Sequence, residues 1–148
     1  MGQVLLILGC MRPGLRQRFL ASPLAWNKVS VWAEREEEFV RRAAFALLAT
    51  LAVHDKQASD ERFIAMLPLI ETAADDVRNF VKKAVNWALR NIGKRNSVLN
   101  AAAIESARRI QQQDSRSARW IAADALRELT SEAVQMRLQG LLVKSPPQ

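Results

Sequence analysis

One segment, residues 76–93, carries side chains whose types and spacing suit the binding of a nucleic acid. Four of them are spaced by four, three and four positions, so they share one face of an α-helix: Lys83, Trp87, Arg90 and Lys94. Lysine and arginine neutralise phosphates, and an indole offers a flat apolar surface for a nucleotide. This face therefore predicts contact with a nucleic acid. The alternative is that Trp87 is a half-buried packing residue beside cations whose alkyl stems cover apolar surface.

The cations of this face recur one helical unit earlier. The string FVRRAA from Phe39 aligns with FVKKAV from Phe80 at an offset of 41 residues, which places Arg42 at the position of Lys83. A third, weaker copy is ARWIAADALR from Ala118. A period of about 40 residues with two helices per unit is typical of HEAT and armadillo arrays, whereas chance similarity between alanine-rich helices is the alternative. We predict an all-α fold, an α-α superhelix of HEAT-like helical repeats.

Capping and helix-breaking residues divide the chain into helices, and no segment has the alternation of a β-strand. Helices are predicted at residues 24–33, 37–53, 59–73, 76–93, 97–112, 116–129 and, as a last short one, between Thr130 and Gly140. Asp75 and Asp76 are expected to cap the helix that bears the basic face. A buried helix is also expected at residues 3–11. The expected organisation is a single HEAT-like repeat domain over residues 1–143, followed by a frayed tail at residues 144–148.

Apolar spacing predicts which sides of these helices are buried. The core stripe of the basic helix is expected to consist of Val77, Phe80, Val81, Ala84, Ala88 and Ile92. Trp26, Trp32 and Trp120 stand among apolar neighbours, so they are expected in the core. Cys10 reads as a small buried hydrophobe.

Composition excludes several classes of protein. The chain has 148 residues, 49% of them hydrophobic, and 22 Lys+Arg against 15 Asp+Glu give a formal net charge of +7. Disordered and collagen-like chains are excluded. A single cysteine and a single histidine exclude a disulfide framework and a cysteine-rich zinc site, and we expect His54-Asp55 to be a helix-end charge interaction rather than a catalytic dyad. No signal or membrane segment is evident, so a cytoplasmic location is expected.

Three strings of this sequence resemble one known family. FVRRAAFALL from Phe39, FVKKAVNWALRNIGKR from Phe80 and ARWIAADALREL from Ala118 are similar to the AlkD-like DNA alkylation repair proteins, which are HEAT-like repeat DNA glycosylases. The resemblance extends from about Trp32 to Leu138 and corresponds to the C-terminal part of a longer family member. It therefore implies that the chain is the later part of a longer array.

The resemblance also implies a function and a set of contacts. Family members hold alkylated double-stranded DNA on a concave face and hydrolyse the N-glycosidic bond of N3- or N7-alkylated purines without a metal or cofactor. By position, Trp87 corresponds to a tryptophan that faces the lesion, and Arg42 to a basic residue at the DNA backbone. We expect supporting phosphate contacts from Lys83, Arg90 and Lys94. This expectation rests on helix geometry more than on the family motif.

The sequence departs from the family pattern at its start. The catalytic aspartate of the family lies on a helix before the Pro13-Gly14 segment, and residues 1–9 contain no Asp, Glu or Trp. No catalytic residue is assigned, and we expect little or no release of alkylated purine by this chain. Two other functions stay open: a non-catalytic HEAT-repeat module that binds an acidic protein partner, and an array that retains only a structural role.

Overall fold

The computed structural model describes residues 12–143, apart from the side chains of Arg16 and of residues 141–143. Within that range it contains eight α-helices and no strand: α1 Pro13–Leu20, α2 Pro23–Ala33, α3 Glu38–His54, α4 Asp60–Ala73, α5 Asn79–Gly93, α6 Ser97–Gln111, α7 Arg116–Leu129 and α8 Glu132–Val143. The all-α prediction is confirmed. The predictions for residues 1–9, the helix at 3–11, Cys10 and the tail at 144–148 lie outside the described residues.

Local sequence accounts for the starts of four of the eight described helices. Proline occupies the first turn of α1 and α2, where its missing N–H is not needed. The side chain of Asn96 accepts a hydrogen bond from the Leu99 amide at 2.9 Å, and the Ser115 hydroxyl accepts one from the Ala118 amide at 3.2 Å. These two caps begin α6 and α7 at the predicted positions.

Two helix boundaries differ from the sequence prediction. Helix α5 begins at Asn79 after an N-cap at Arg78, because the Asp76 carboxylate binds the Arg78 amide and guanidinium instead of capping a helix that starts beside it. Helix α8 passes through Gly140 and continues to Val143. Gly140 has no positive φ, so nothing in its backbone ends the helix there.

The helices stack in two layers. One layer consists of α2, α4 and α6, and the other of α3, α5 and α7, with each helix packing on the next of its own layer. Successive helices α2–α3, α4–α5 and α6–α7 also pack as pairs, one from each layer. This arrangement is the stacked helix-pair superhelix that the repeat period predicts.

The core lies between the two layers. It contains the central part of α3 and the apolar stripe of α5 at Val81, Ala84, Ala88 and Ile92. Trp26 is buried as predicted, and its ring meets Phe63 edge-on at 5.0 Å between centroids. Trp32 is partly buried against the same core.

Three residues predicted for the core are exposed. Val77 precedes the first turn of α5 and is 76% exposed, and Phe80, in that first turn, is 47% exposed. The ring centroid of Phe80 lies 6.4 Å from that of Phe39, which occupies the matching position of α3. Trp120, near the start of α7, is 42% exposed, with the Lys82 ammonium 4.6 Å from its ring centroid. All three lie before or within the first five residues of their helices, where they stay in contact with solvent.

Candidate nucleic-acid interface

A groove between α3 and α5 brings together three of the five predicted site residues. Arg42 comes from α3, and Lys83 and Trp87 come from α5. The groove has a volume of about 370 Å³, and its other lining residues are Ala46, Phe80 and Ala84. Ala46 and Ala84 are buried and small, which leaves room between the longer side chains. We refer to these six residues as the α3–α5 groove.

The indole of Trp87 is accessible from the groove. Its exposed fraction is 42%, although its neighbours Asn86 and Ala88 are buried. Helical periodicity explains this difference, because adjacent residues point about 100° apart around the helix. The exposed part of the ring offers an apolar surface to a planar ligand.

The two cations of the groove are not neutralised by the described part of the chain. Arg42 stacks its guanidinium 5.1 Å from the ring centroid of Phe80, a cation–π contact. None of the six lining residues is acidic. Among the described side chains, no carboxylate forms an ion pair with Arg42 or Lys83 within 4.0 Å. The groove therefore presents positive charge to a ligand.

Arg90 and Lys94 face acidic residues of α7. The Lys94 ammonium lies 2.8 Å from the Glu128 carboxylate, and the Arg90 guanidinium binds the other oxygen of Glu128. Arg90 also lies 3.5 Å from Asp124. Both cations therefore tie α5 to α7, and neither lines the α3–α5 groove.

The pKa of Glu128 reflects these contacts. Burial acts to raise it, but the hydrogen bonds and positive charges of Arg90 and Lys94 outweigh burial and lower the pKa. Glu128 is therefore held as a carboxylate that competes with any phosphate for both cations.

Asp124 and Asn86 form a second polar link between α5 and α7. The Asn86 amide nitrogen donates to Asp124 at 2.7 Å, and Asp124 also binds Arg127 one turn along its own helix. The sequence pattern indicated no functional role for Asp124. The sequence signal for Asp124 and Glu128 is the third repeat copy. There Arg127 aligns with Arg90, Asp124 stands three residues before Arg127, and Glu128 directly follows it.

His54 and Asp55 do not form a dyad facing a site. Asp55 is buried, and one of its oxygens accepts hydrogen bonds from the backbone amides of Gln57 and Ala58. Its other oxygen accepts a long hydrogen bond, 3.4 Å, from the indole of Trp26. Asp55 therefore organises the loop after α3.

A family model described as "DNA alkylation repair enzyme" matches residues 10–129. The chain belongs to the DNA alkylation repair enzyme family. The match spans all of α1 to α7 and includes every predicted site residue. No match was found among curated proteins, and none among solved structures.

Three further observations concern this family member. The expected place of the catalytic aspartate, residues 1–9, falls outside both the matched and the described residues. In the described part of the chain, no group of three or more His, Cys, Asp or Glu is arranged to hold a metal ion. Over the same residues, no helix is both long enough and apolar enough to cross a bilayer.

Proposed function

We propose that this DNA alkylation repair family member binds double-stranded DNA through the α3–α5 groove. The observation that supports the proposal is the meeting of Arg42, Lys83 and Trp87 in one groove that contains no acid. Two cations that have no ion-pair partner among the described side chains attract a phosphate backbone and release its counterions. The adjacent indole favours a nucleic acid over a simple anion, because it adds a stacking surface for a base.

Trp87 is proposed to contact the alkylated nucleotide. Purines alkylated at N3 or N7 carry a positive charge, and the face of an indole attracts a cation more strongly than other aromatic rings do. Arg42 suits the backbone because its guanidinium can donate two parallel hydrogen bonds to a phosphate. Lys83 supplies a second point charge one turn before Trp87.

Arg90 and Lys94 are proposed as weaker phosphate contacts. Glu128 forms ion pairs with both cations. The net free energy of binding a phosphate there is therefore only the amount by which the new contacts are stronger than the ion pairs they replace. Their cationic groups are nonetheless partly exposed, with side-chain exposures of 34% and 24%. We expect them to contribute less per residue than Arg42 and Lys83.

Excision of an alkylated purine is proposed to be weak or absent in this chain. Cleavage of the N-glycosidic bond develops positive charge on the sugar, which the family stabilises with a carboxylate. The α3–α5 groove has no acidic lining residue, and the nearby acids Asp124 and Glu128 are held by ion pairs. Binding without efficient hydrolysis is the function this arrangement supports best.

The test is the salt dependence of duplex binding. Fluorescence anisotropy with a duplex containing 7-methylguanine measures the slope of log K against log salt for Arg42→Ala and Lys83→Ala. Each lost phosphate contact is expected to reduce the slope by about 0.9. Arg108→Ala, a 64% exposed cation on α6, is the control and is expected to keep the slope of the parent chain. Slopes unchanged in both groove variants would refute the proposal.

The alternative function, binding of an acidic protein partner, predicts a different ligand preference. Polyglutamate offers the negative charge of DNA without bases. If DNA is the ligand, polyglutamate competes poorly, and Trp87→Ala weakens binding of the duplex more than binding of the peptide. Equal affinity for both, with no effect of Trp87, would favour the protein partner.

A further inference from the structure

We infer that a second basic pocket, at the C-terminal ends of α3 and α5, binds a phosphate of the DNA backbone. This inference rests on the proposed DNA binding and extends it to a site of which the sequence indicated only Lys94. The pocket has a volume of about 570 Å³, and its lining is Ala52, Val53, Lys56, Asn91, Lys94, Arg95, Asn96 and Arg137. Four of these eight residues are cations, and none is acidic.

The four cations come from three separate parts of the fold. Lys56 belongs to the loop after α3, Lys94 and Arg95 follow α5, and Arg137 is contributed by α8. Only tertiary packing brings them together, since 81 positions separate the first from the last in the sequence. A cleft lined by one sign of charge focuses the electric field and raises the local concentration of anions, as an anion site requires.

Arg95 forms the fixed side of the pocket. Its guanidinium donates to the carbonyls of Ala52 and Ala58 at 3.0 and 3.1 Å and lies 4.6 Å from the ring centroid of Phe63. Burial lowers its pKa, and the charges of Asp55 and Asp60 offset that effect only in part. Arg95 therefore carries a positive charge that the protein does not fully compensate, while its position is held by hydrogen bonds.

Lys56 and Arg137 form the exposed side of the pocket. Both residues are exposed, and neither is ion-paired with any carboxylate in the described part of the chain. Neither side chain has to break an ion pair with a described carboxylate to reach a ligand. Lys94 is different, because its ammonium pairs with Glu128.

Helix dipoles oppose an anion here but are too weak to prevent binding. The C-terminal ends of α3 and α5 each carry a partial charge of roughly −0.5. Together they offset about one of the four positive charges of the lining. Among the nearby carboxylates, Glu128 binds Lys94 of the lining as well as Arg90, so it offsets part of the charge of Lys94. Asp60 accepts a hydrogen bond from Asn96, another lining residue, at 2.8 Å.

The position of the pocket favours DNA over a free anion as its ligand. It is formed by the same two helices as the α3–α5 groove, at their other ends. Lys94 follows Lys83 by eleven residues, which is roughly 16 Å along α5. A duplex that contacts Arg42 and Lys83 and runs along this face meets the pocket with a further backbone phosphate.

The test uses the full chain with Lys56→Ala and Arg137→Ala, which remove exposed side chains. Each is expected to reduce the slope of log K against log salt for duplex binding by about 0.9. Lys56→Arg retains the charge and is expected to restore the slope. Arg108→Ala again serves as the control. Slopes equal to that of the parent chain in both alanine variants would overturn the inference.

A second measurement separates a DNA contact from a site for free phosphate. Inorganic phosphate is titrated while the side-chain amide signal of Asn91 is followed by NMR. If the pocket binds a DNA phosphate, inorganic phosphate shifts the Asn91 signal weakly. Lys56→Ala and Arg137→Ala then reduce that shift and also change the slope of log K against log salt for duplex binding. Saturable phosphate binding with unchanged DNA slopes would overturn the inference. If Arg42→Ala and Lys83→Ala alter the slope and the pocket variants do not, only this inference fails.

Discussion

Arg41 of α3 donates a hydrogen bond to the carboxylate of Asp76 at 3.0 Å, although 35 residues separate them. Arg78 binds the same carboxylate through its amide and its guanidinium, and it also donates to the carbonyl of Glu36 at 2.8 Å. Asp76 therefore joins two successive repeats at the start of their second helices. Hydrogen bonds from Arg78 lower the pKa of Asp76 most; burial opposes them, the Arg41 contact adds to them, and the pKa falls to about 2.

Asp76→Asn is expected to destabilise the fold. The amide keeps the size of the side chain but leaves two arginines without their carboxylate, at a cost of about 2 kcal/mol in the free energy of unfolding at pH 7. Urea denaturation measures this difference. Asp75→Asn, which changes the exposed neighbouring acid, is the matched control and should have almost no effect. A loss of equal size in both variants would contradict the role of Asp76.

The contribution of Asp76 is expected to depend on pH. Because its pKa is lowered from the ordinary 3.8 to about 2, the carboxylate stabilises the folded state fully above about pH 4. That stabilisation is lost as the pH falls through 2. Urea denaturation from pH 7 to pH 2 should therefore show the parent chain and Asp76→Asn converging in stability at the acid end. A constant difference over the whole range would show that the ion pairs are not its source.

Gly93→Ala is expected to destabilise the contact of α5 with α6 and α7. A Cβ at this position would lie 2.6 Å from a methyl carbon of Leu129 and 3.0 Å from the Cβ of Ala103. Both neighbours are fully buried, so we expect a loss of about 1–3 kcal/mol. Gly140→Ala is the control, because a Cβ there meets nothing within 4 Å and alanine is the better helix former by about 0.5–1 kcal/mol. Thermal melting should move in opposite directions for the two variants.

Trp87→Ala is expected to weaken DNA binding without unfolding the chain. Loss of a stacking surface lowers affinity by roughly 10-fold, since stacking contributes about 1–3 kcal/mol per base. Trp120→Ala is a close control, because Trp120 has the same 42% exposure but lies outside the α3–α5 groove. Anisotropy titrations with one duplex compare the two variants. Equal losses in both would indicate a general effect of removing exposed aromatic surface.

Glu128→Gln is expected to change stability and binding in opposite directions. Without the carboxylate, α5 and α7 lose the ion pairs of Arg90 and Lys94, so the free energy of unfolding decreases. Lys94 then becomes available to phosphate and Arg90 keeps only its longer contact with Asp124, so duplex affinity at low salt is expected to rise by roughly 2- to 10-fold. Glu105→Gln on α6 removes the same formal charge far from the groove and controls for net charge. Affinity that rises equally in both variants would exclude a local effect.

Much of the fold could be predicted from local sequence. Caps such as Asn96 and Ser115 act on amides three residues away, so their effect is visible in a short window. The repeat period predicted that Arg42 and Lys83 occupy equivalent positions, and the structure places both in one groove. The predicted start of α5 was wrong because Asp76 binds the amide and guanidinium of Arg78, and also Arg41 from another repeat, instead of capping the helix.

The sequence by itself determined the helices, their repeat and the residues that share a face, because backbone hydrogen bonding and helical periodicity are local. Tertiary structure decided what each face meets. It placed Glu128 against Arg90 and Lys94, left Phe80 in solvent, and gathered Lys56, Arg95 and Arg137 around one pocket. Periodicity gives the direction of a side chain from its own helix axis. The charged groups around that side chain depend on which helix packs opposite and in what register. Burial of the whole hydrophobic core decides that packing.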